Sequence, residues 1–185
     1  MSISQKIRLV LLDRDGVINH DSENYITSAD QWLPIPGSMD AVRRLQARFQ
    51  VAVCTNQAGI GRGFLTRDAL AAIHVTLQTT LQRAGAEAIP IYHCPHHPDD
   101  GCDCRKPEPG LLISAMQAAD VTGHQTCFIG DSLRDVQAAL NAGCAPILVR
   151  TGNGRAVENA QVESLTNVSV YDDLAACATA LLESP

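Results

Sequence analysis

The chain has 185 residues, 45% hydrophobic and 18% charged, a balance that excludes a disordered chain and fits about one ordinary domain of ~100–200 residues. Its 14 Lys+Arg against 20 Asp+Glu give a net charge of −6. No basic cluster offers the footprint of a sequence-independent nucleic-acid binder, and no apolar stretch approaches the roughly 20 residues of a membrane span. The opening residues, Met1 to Arg8, carry no signal-peptide pattern, so a cytoplasmic protein is expected, with neither nucleic acid nor membrane as partner.

In chain order, apolar runs alternate with helical spacings. Ile7–Leu12 predicts a first strand, ended by Asp13. Apolar residues at 39, 42, 45 and 49 predict a helix over Ser38–Phe49, with Ser38 as its N-cap. Val51–Cys54 reads as a short buried strand. Thr66–Ala84 is the longest predicted helix, with Leu70, Ile73, Leu77 and Leu81 on one face. Then follow a strand at Ala88–Tyr92, a helix at Leu111–Ala119, a strand at Thr126–Ile129 and a helix at Leu133–Ala142 closed by Gly143. Strands at Ile147–Val149 and Val168–Val170 and a helix near 172–182 complete the pattern. Such alternation predicts an α/β fold, a Rossmann-like three-layer α/β/α domain over residues 1–185 with a central parallel sheet.

Polar residues cluster just after the predicted strands: Asp13-Arg-Asp15, Thr55-Asn-Gln57 and Gly130-Asp131. In open parallel sheets, ligands bind beyond the carboxyl ends of the strands. Asp13 and Asp15 are one residue apart, which in an extended chain places both carboxylates on one side. So close together they need a cation or a shared proton, and a hard divalent ion such as Mg²⁺ suits oxygen ligands. Asp131 and Asp135 offer further ligands, with helix capping as the competing role.

Seven cysteines without a secretion pattern do not read as a disulfide framework. Cys54, Cys127, Cys144 and Cys177 sit in apolar surroundings and predict buried free thiols. Cys94-Pro-His96 and Cys102-Asp-Cys104 form a C-x-H-x5-C-x-C pattern that suits a closed, structural Zn²⁺ site. His93 and His97 compete as ligands, and reduced surface cysteines or a redox pair at 102/104 compete with the metal.

Taken together, Asp13/Asp15, Thr55, Lys106 and Asp131/Asp135 resemble, in order, the four motifs of the haloacid dehalogenase-type phosphatases, over about residues 7 to 151. That resemblance implies Asp13 as nucleophile and Asp15 as general acid and base. It implies Thr55 and Lys106 as phosphate-holding residues, and Mg²⁺ on Asp13, Asp15 (through its main-chain carbonyl) and Asp131, with Asp135 as ligand or support. The motifs leave no stretch for a separate cap domain, so loops around 20–32, 58–65 and 94–106 must select substrate.

Within that superfamily, Asp13-Arg-Asp-Gly-Val-Ile-Asn19, Thr55-Asn-Gln-Ala-Gly-Ile-Gly-Arg-Gly63, Cys102-Asp-Cys-Arg-Lys-Pro107 and Val149-Arg-Thr-Gly152 resemble the D-glycero-D-manno-heptose 1,7-bisphosphate phosphatase family. This implies removal of the C7 phosphate by a monomeric enzyme that feeds nucleotide-activated heptose synthesis for a surface polysaccharide. It also implies substrate contacts from Asp21, Tyr25, Asn56, Gln57, Arg105 and Lys106, with the Arg105 fork on the phosphate that is not cleaved. Histidinol-phosphate phosphatase is the nearest alternative, and a zinc-stapled phosphosugar-binding module the non-enzyme one. Ser132 departs from the family, many members of which carry Lys there.

Overall fold

A computed structural model describes residues 7–22, 24–160 and 165–183. The apolar runs become six strands: β1 (Leu9–Leu12), β2 (Gln50–Asn56), β3 (Ile91–Cys94), β4 (Thr126–Gly130), β5 (Ala145–Val149) and β6 (Ser169–Tyr171). All pair in parallel, in the order β3-β2-β1-β4-β5-β6. The chain thus builds outward from β1 to one side, returns to β4, and builds outward to the other. The reversal between β1 and β4 is the topological switch point, where an open α/β sheet leaves a crevice beyond its strand ends.

Alternation along the strands divides the interior into two cores. Val10, Leu12, Val51, Val53, Ile129 and Val149 face α1 (Ser38–Gln46), α3 (Arg67–Arg83) and α7 (Leu174–Glu183). Leu9, Leu11, Ala52, Cys54 and Phe128 face α4 (Gly110–Ala119) and α5 (Leu133–Asn141). Every residue of β1 and of β4 is buried, as expected for strands covered on both faces. The four cysteines expected in the core, Cys54, Cys127, Cys144 and Cys177, are buried free thiols. Two short helices, α2 (Ala58–Gly61) and α6 (Gly154–Asn159), were not expected from spacing; each is too short to show a helical period. Among the described residues, no helix is long and apolar enough to cross a membrane.

Several boundaries shift by one to three residues from the sequence reading, and two differences have a clear local reason. Ser38 is not the cap of α1: Gly37, at φ +84°, takes that position, and the Ser38 hydroxyl instead donates to the Ile18 carbonyl at 2.7 Å. The serine therefore ties α1 to the loop after β1. The third strand begins at Ile91 rather than Ala88, directly after Pro90, which has no N–H for the ladder. It runs on to Cys94, so the first cysteine of the cluster sits at a strand end.

Candidate active site

At the end of β1, the Asp13 N–H still donates to Ile129 at 2.9 Å, extending the ladder, and Asp13 Oδ1 accepts from the Arg14 N–H at 2.7 Å. The chain then turns: the N–H groups of Ile18 and Asn19 both bond the Arg14 carbonyl. Gly16 lies at φ +80°, and the space a side chain would fill there is taken by the Asp131 carboxylate. Only glycine fits that position.

Asp13, Asp131 and Asp135, all buried, bring one carboxylate oxygen each to within 4.8 Å of one another. Lys106 Nζ lies 2.8 Å from Asp13 and 2.7 Å from Asp135. Burial pushes the Asp13 carboxyl up to about 8, with Asp135 and Asp131 adding to the rise and Lys106 opposing it. Burial, then Asp135, raises Asp131 to about 6. On Lys106, burial pulls downward, but Asp13 and Asp135 together outweigh it and hold the ammonium above its usual range. Three buried carboxylates against one cation leave charge uncompensated, and this donor set fits a divalent ion with oxygen ligands.

The supports of these groups are as specific as the groups themselves. Asn153 donates to Asp131 Oδ2 from its main-chain N–H at 2.8 Å and from its side chain at 3.1 Å. Ser132 and Asp135 form a reciprocal capping box on α5, with the Ser132 hydroxyl 2.6 Å from Asp135 Oδ2. Asn56 brackets Lys106 by accepting from its N–H at 3.0 Å and donating to its carbonyl at 3.1 Å.

Asp15 is not brought into the carboxylate cluster. The turn after Asp13 ends the extended conformation on which the same-side expectation rested. Its carboxylate accepts instead from Arg14, Asn19 and Gln57. Gln57 also donates to the Thr55 hydroxyl at 2.9 Å. Asn56 and Gln57, expected on the sugar, thus spend most of their polar capacity inside the site.

Around these groups opens a cleft of about 860 Å³, within the size range of small-molecule sites. Thr55, Asp21, Tyr25, Arg62, Arg105 and Arg134 reach it. Tyr25 stacks on Phe64, ring centres 5.7 Å apart, joining the loop after β1 to the loop after α2. Burial, and more weakly Asp15, raises the Asp21 carboxyl. Arg62 and Arg134 are exposed and enter no ion pair among the described residues, while half-buried Arg105 keeps Nη1 without a partner. Trp32, between β1 and α1, is buried in the core.

The remaining cluster is Cys94, His96, Cys102 and Cys104, whose ligand atoms also lie within 4.8 Å of one another. Cys102 Sγ stands 3.6 Å from Cys94 Sγ and 3.6 Å from Cys104 Sγ, and His96 Nδ1 stands 3.2 Å from Cys104 Sγ. A disulfide needs ~2.05 Å, whereas thiolates ~2.3 Å from a tetrahedral zinc stand roughly 3.8 Å apart. His93 turns away and packs edge-on to His74, and His97 caps a short 3-10 turn at Pro98–Asp100, so neither joins the set. The loop rests against Gly61, where a side chain would run into the main chain of His96 and His97.

Over 178 residues the chain is 47% identical to D-glycero-beta-D-manno-heptose-1,7-bisphosphate 7-phosphatase of Pseudomonas aeruginosa, spanning 95% of this chain and 98% of that one. The crystal structure of D,D-heptose 1,7-bisphosphate phosphatase from B. bronchiseptica, complexed with magnesium and phosphate, matches at TM-score 0.90 and 46% identity, covering 96% of this chain and 99% of that chain. The chain belongs to the D,D-heptose 1,7-bisphosphate phosphatase family.

Similarity to that family extends to the Escherichia coli 7-phosphatase at 36% identity over 159 residues, 81% of this chain and 83% of that one. A family model described as HAD-hydrolase-like matches residues 103–177. Membership in the heptose bisphosphate phosphatases gives the strand-end carboxylates their context as a phosphatase site, on a Rossmann-like fold without a cap. The hydrogen bonds of the site also bring in residues to which the sequence reading gave no role. Arg14 and Asn19 lie inside the first quoted motif with no role assigned to them there, and Asn153 lies just beyond the last. Their signal was position alone, a cation between two acids and an asparagine after a glycine at a strand end.

Proposed function

We propose that this chain is a phosphatase that removes the C7 phosphate from D-glycero-β-D-manno-heptose 1,7-bisphosphate, the compound its relatives' names carry. The observation that carries the reading is the buried Asp13, paired with Lys106 and facing Asp131 and Asp135 at the switch point of the sheet. Asp13 attacks phosphorus in line and forms an aspartyl-phosphate. Asp15 protonates the departing C7 oxygen, then takes the proton of the water that cleaves the aspartyl-phosphate. Lys106 and the Thr55 hydroxyl hold the phosphoryl oxygens, and Arg105 pairs with the phosphate left on C1. Asp21 and Tyr25 line the sugar's side of the cleft, while Asn56 and Gln57 act by holding Lys106 and Asp15.

Asp13, Asp131 and the Asp15 carbonyl would hold Mg²⁺, with Asp135 behind them gripping Lys106. Bound there, the ion offsets the charge of the phosphoryl oxygens. Zn²⁺ on Cys94, His96, Cys102 and Cys104 would be structural, since four protein ligands leave no open position. The protein is read as one domain, a cytoplasmic monomer whose product serves nucleotide-activated heptose synthesis.

The test is phosphate release from both anomers of the bisphosphate and from histidinol phosphate, with Mg²⁺ and with EDTA. The β anomer is expected to be preferred, with activity lost in EDTA and in Asp13→Asn. Preference for histidinol phosphate, or turnover by Asp13→Asn, would overturn the assignment.

A further inference from the structure

Arg14, the residue between the two motif aspartates, is 1% exposed and among the largest fully buried side chains of the protein. A buried guanidinium is costly unless its partners are well placed. Here it forms a two-pronged pair with Asp15, Nε to Oδ1 at 3.0 Å and Nη2 to Oδ2 at 2.9 Å. The same Nη2 donates to Gln57 Oε1 at 3.2 Å, and Gln57 Nε2 returns a hydrogen bond to Asp15 Oδ2 at 2.9 Å. Asn19, fully buried, donates to Asp15 Oδ1 at 2.9 Å. Each oxygen of Asp15 therefore receives two donors.

We infer that Arg14, with Gln57 and Asn19, forms a positioning cradle that holds the Asp15 carboxylate at the cleft between its two proton transfers. The inference rests on the reading of Asp15 as acid and base. A pair built for packing alone would bury both partners; here the carboxylate keeps 21% exposure beside the cleft while the cation is 1% exposed. The other buried cation, Lys106, is committed to Asp13 and Asp135, so the two motif acids are served by separate cations. Burial, then Arg14 itself, pushes neighbouring His74 down to about 4, which leaves that ring neutral near pH 7.

The cradle fits the proton balance. In the first half-reaction the bond from phosphorus to the C7 oxygen breaks, its electron pair stays on that oxygen, and the Asp15 proton moves there, leaving a carboxylate. All donors of the cradle are built to receive that carboxylate. In the second, the water oxygen bonds phosphorus, the bond from phosphorus to the Asp13 oxygen breaks with its electron pair returning to that carboxylate, inorganic phosphate leaves, and the water proton passes to Asp15, restoring the acid for the next cycle. Arg14 touches no substrate atom in this scheme and acts through Asp15 alone.

The experiment compares Arg14→Gln, Arg14→Lys, Gln57→Ala and Asp15→Asn, first confirmed as folded by thermal melting, on two substrates. The heptose bisphosphate has an alkoxide leaving group that needs a proton, whereas 4-nitrophenyl phosphate releases a stable phenolate that does not. For Arg14→Gln, kcat on the sugar is expected to fall about 100-fold with KM changed less than about threefold. First-turnover nitrophenolate release should fall less than about tenfold, appearing as a burst ahead of slow aspartyl-phosphate hydrolysis. Arg14→Lys, which keeps charge without the fork, and Gln57→Ala should fall between Arg14→Gln and wild type. Equal losses on both substrates, or a loss confined to KM, would overturn the cradle. Should Asp15→Asn discriminate between the leaving groups while Arg14→Gln does not, the cradle alone falls. Should Asp15→Asn fail to discriminate, the acid role of Asp15 falls and takes the inference with it.

Discussion

Lys106 and His74 show how much of this protein's chemistry is set by single buried side chains. Lys106 lies between Asp13 and Asp135, and its ammonium stands 5.1 Å from the centre of the Phe128 ring. In Lys106→Met two buried carboxylates lose their shared cation, a change expected to cost about 3–5 kcal/mol. Urea unfolding of the metal-free variant checks this, and phosphatase activity should vanish with it. His74 titrates near 6.5 when unfolded and near 4 when folded, mainly because of burial. The unfolded chain therefore binds its proton first, so this contribution is intact above pH 6.5 and lost as pH falls toward 4. For a partly buried ring the loss is on the order of 2 kcal/mol. His74→Gln should unfold with a shallower acid dependence over that window, and an unchanged slope would remove His74 as the cause.

Single elements locate these side chains, and their fit explains residues that look idle in the sequence. The glycine-rich run after β2 makes the short helix α2, and Gly61 at its end lies under the main chain of His96 and His97. Gly61→Ala forces that loop outward and is expected to cost about 1–3 kcal/mol. A lowered melting temperature together with weaker zinc retention would show it. The capping hydroxyl of Thr66, which accepts from the Ala69 N–H at 3.1 Å, is worth about 1 kcal/mol in the same assay. At this scale the sequence was legible wherever period and place coincided: each acid beyond a buried strand could be read from the apolar run before it. What could not be read depends on chain segments folding back on one another. Asn153 reaches Asp131 only because the segment after β5 returns toward β1, where the Thr151 hydroxyl donates to the Gly16 carbonyl at 2.6 Å. The side to which Asp15 turns was likewise decided by the turn at Gly16, which strand alternation does not describe.

Across the whole molecule, one sheet gathers every ingredient at one end. The net charge of −6 is unfavourable for a doubly phosphorylated ligand, yet Arg62, Arg105 and Arg134 line the same cleft. Contact charges outweigh distant ones because screening sets in beyond ~8–10 Å. Neutralising Arg105 and Arg134 together should therefore raise KM for the bisphosphate far more than for a monophosphate, as steady-state kinetics would show. The covalent order of the chain adds one more consequence. Cys104 lies two residues before Lys106, so the proposed sulfur-bound metal and the cation beside the nucleophile share a single peptide tether. A chelator then acts on two clocks. Mg²⁺ held by oxygen ligands beside the open cleft would leave at once and be restored by adding Mg²⁺. An ion held by Cys94, His96, Cys102 and Cys104 would leave slowly and take the fixed position of Lys106 with it, so late inactivation should no longer yield to Mg²⁺ alone.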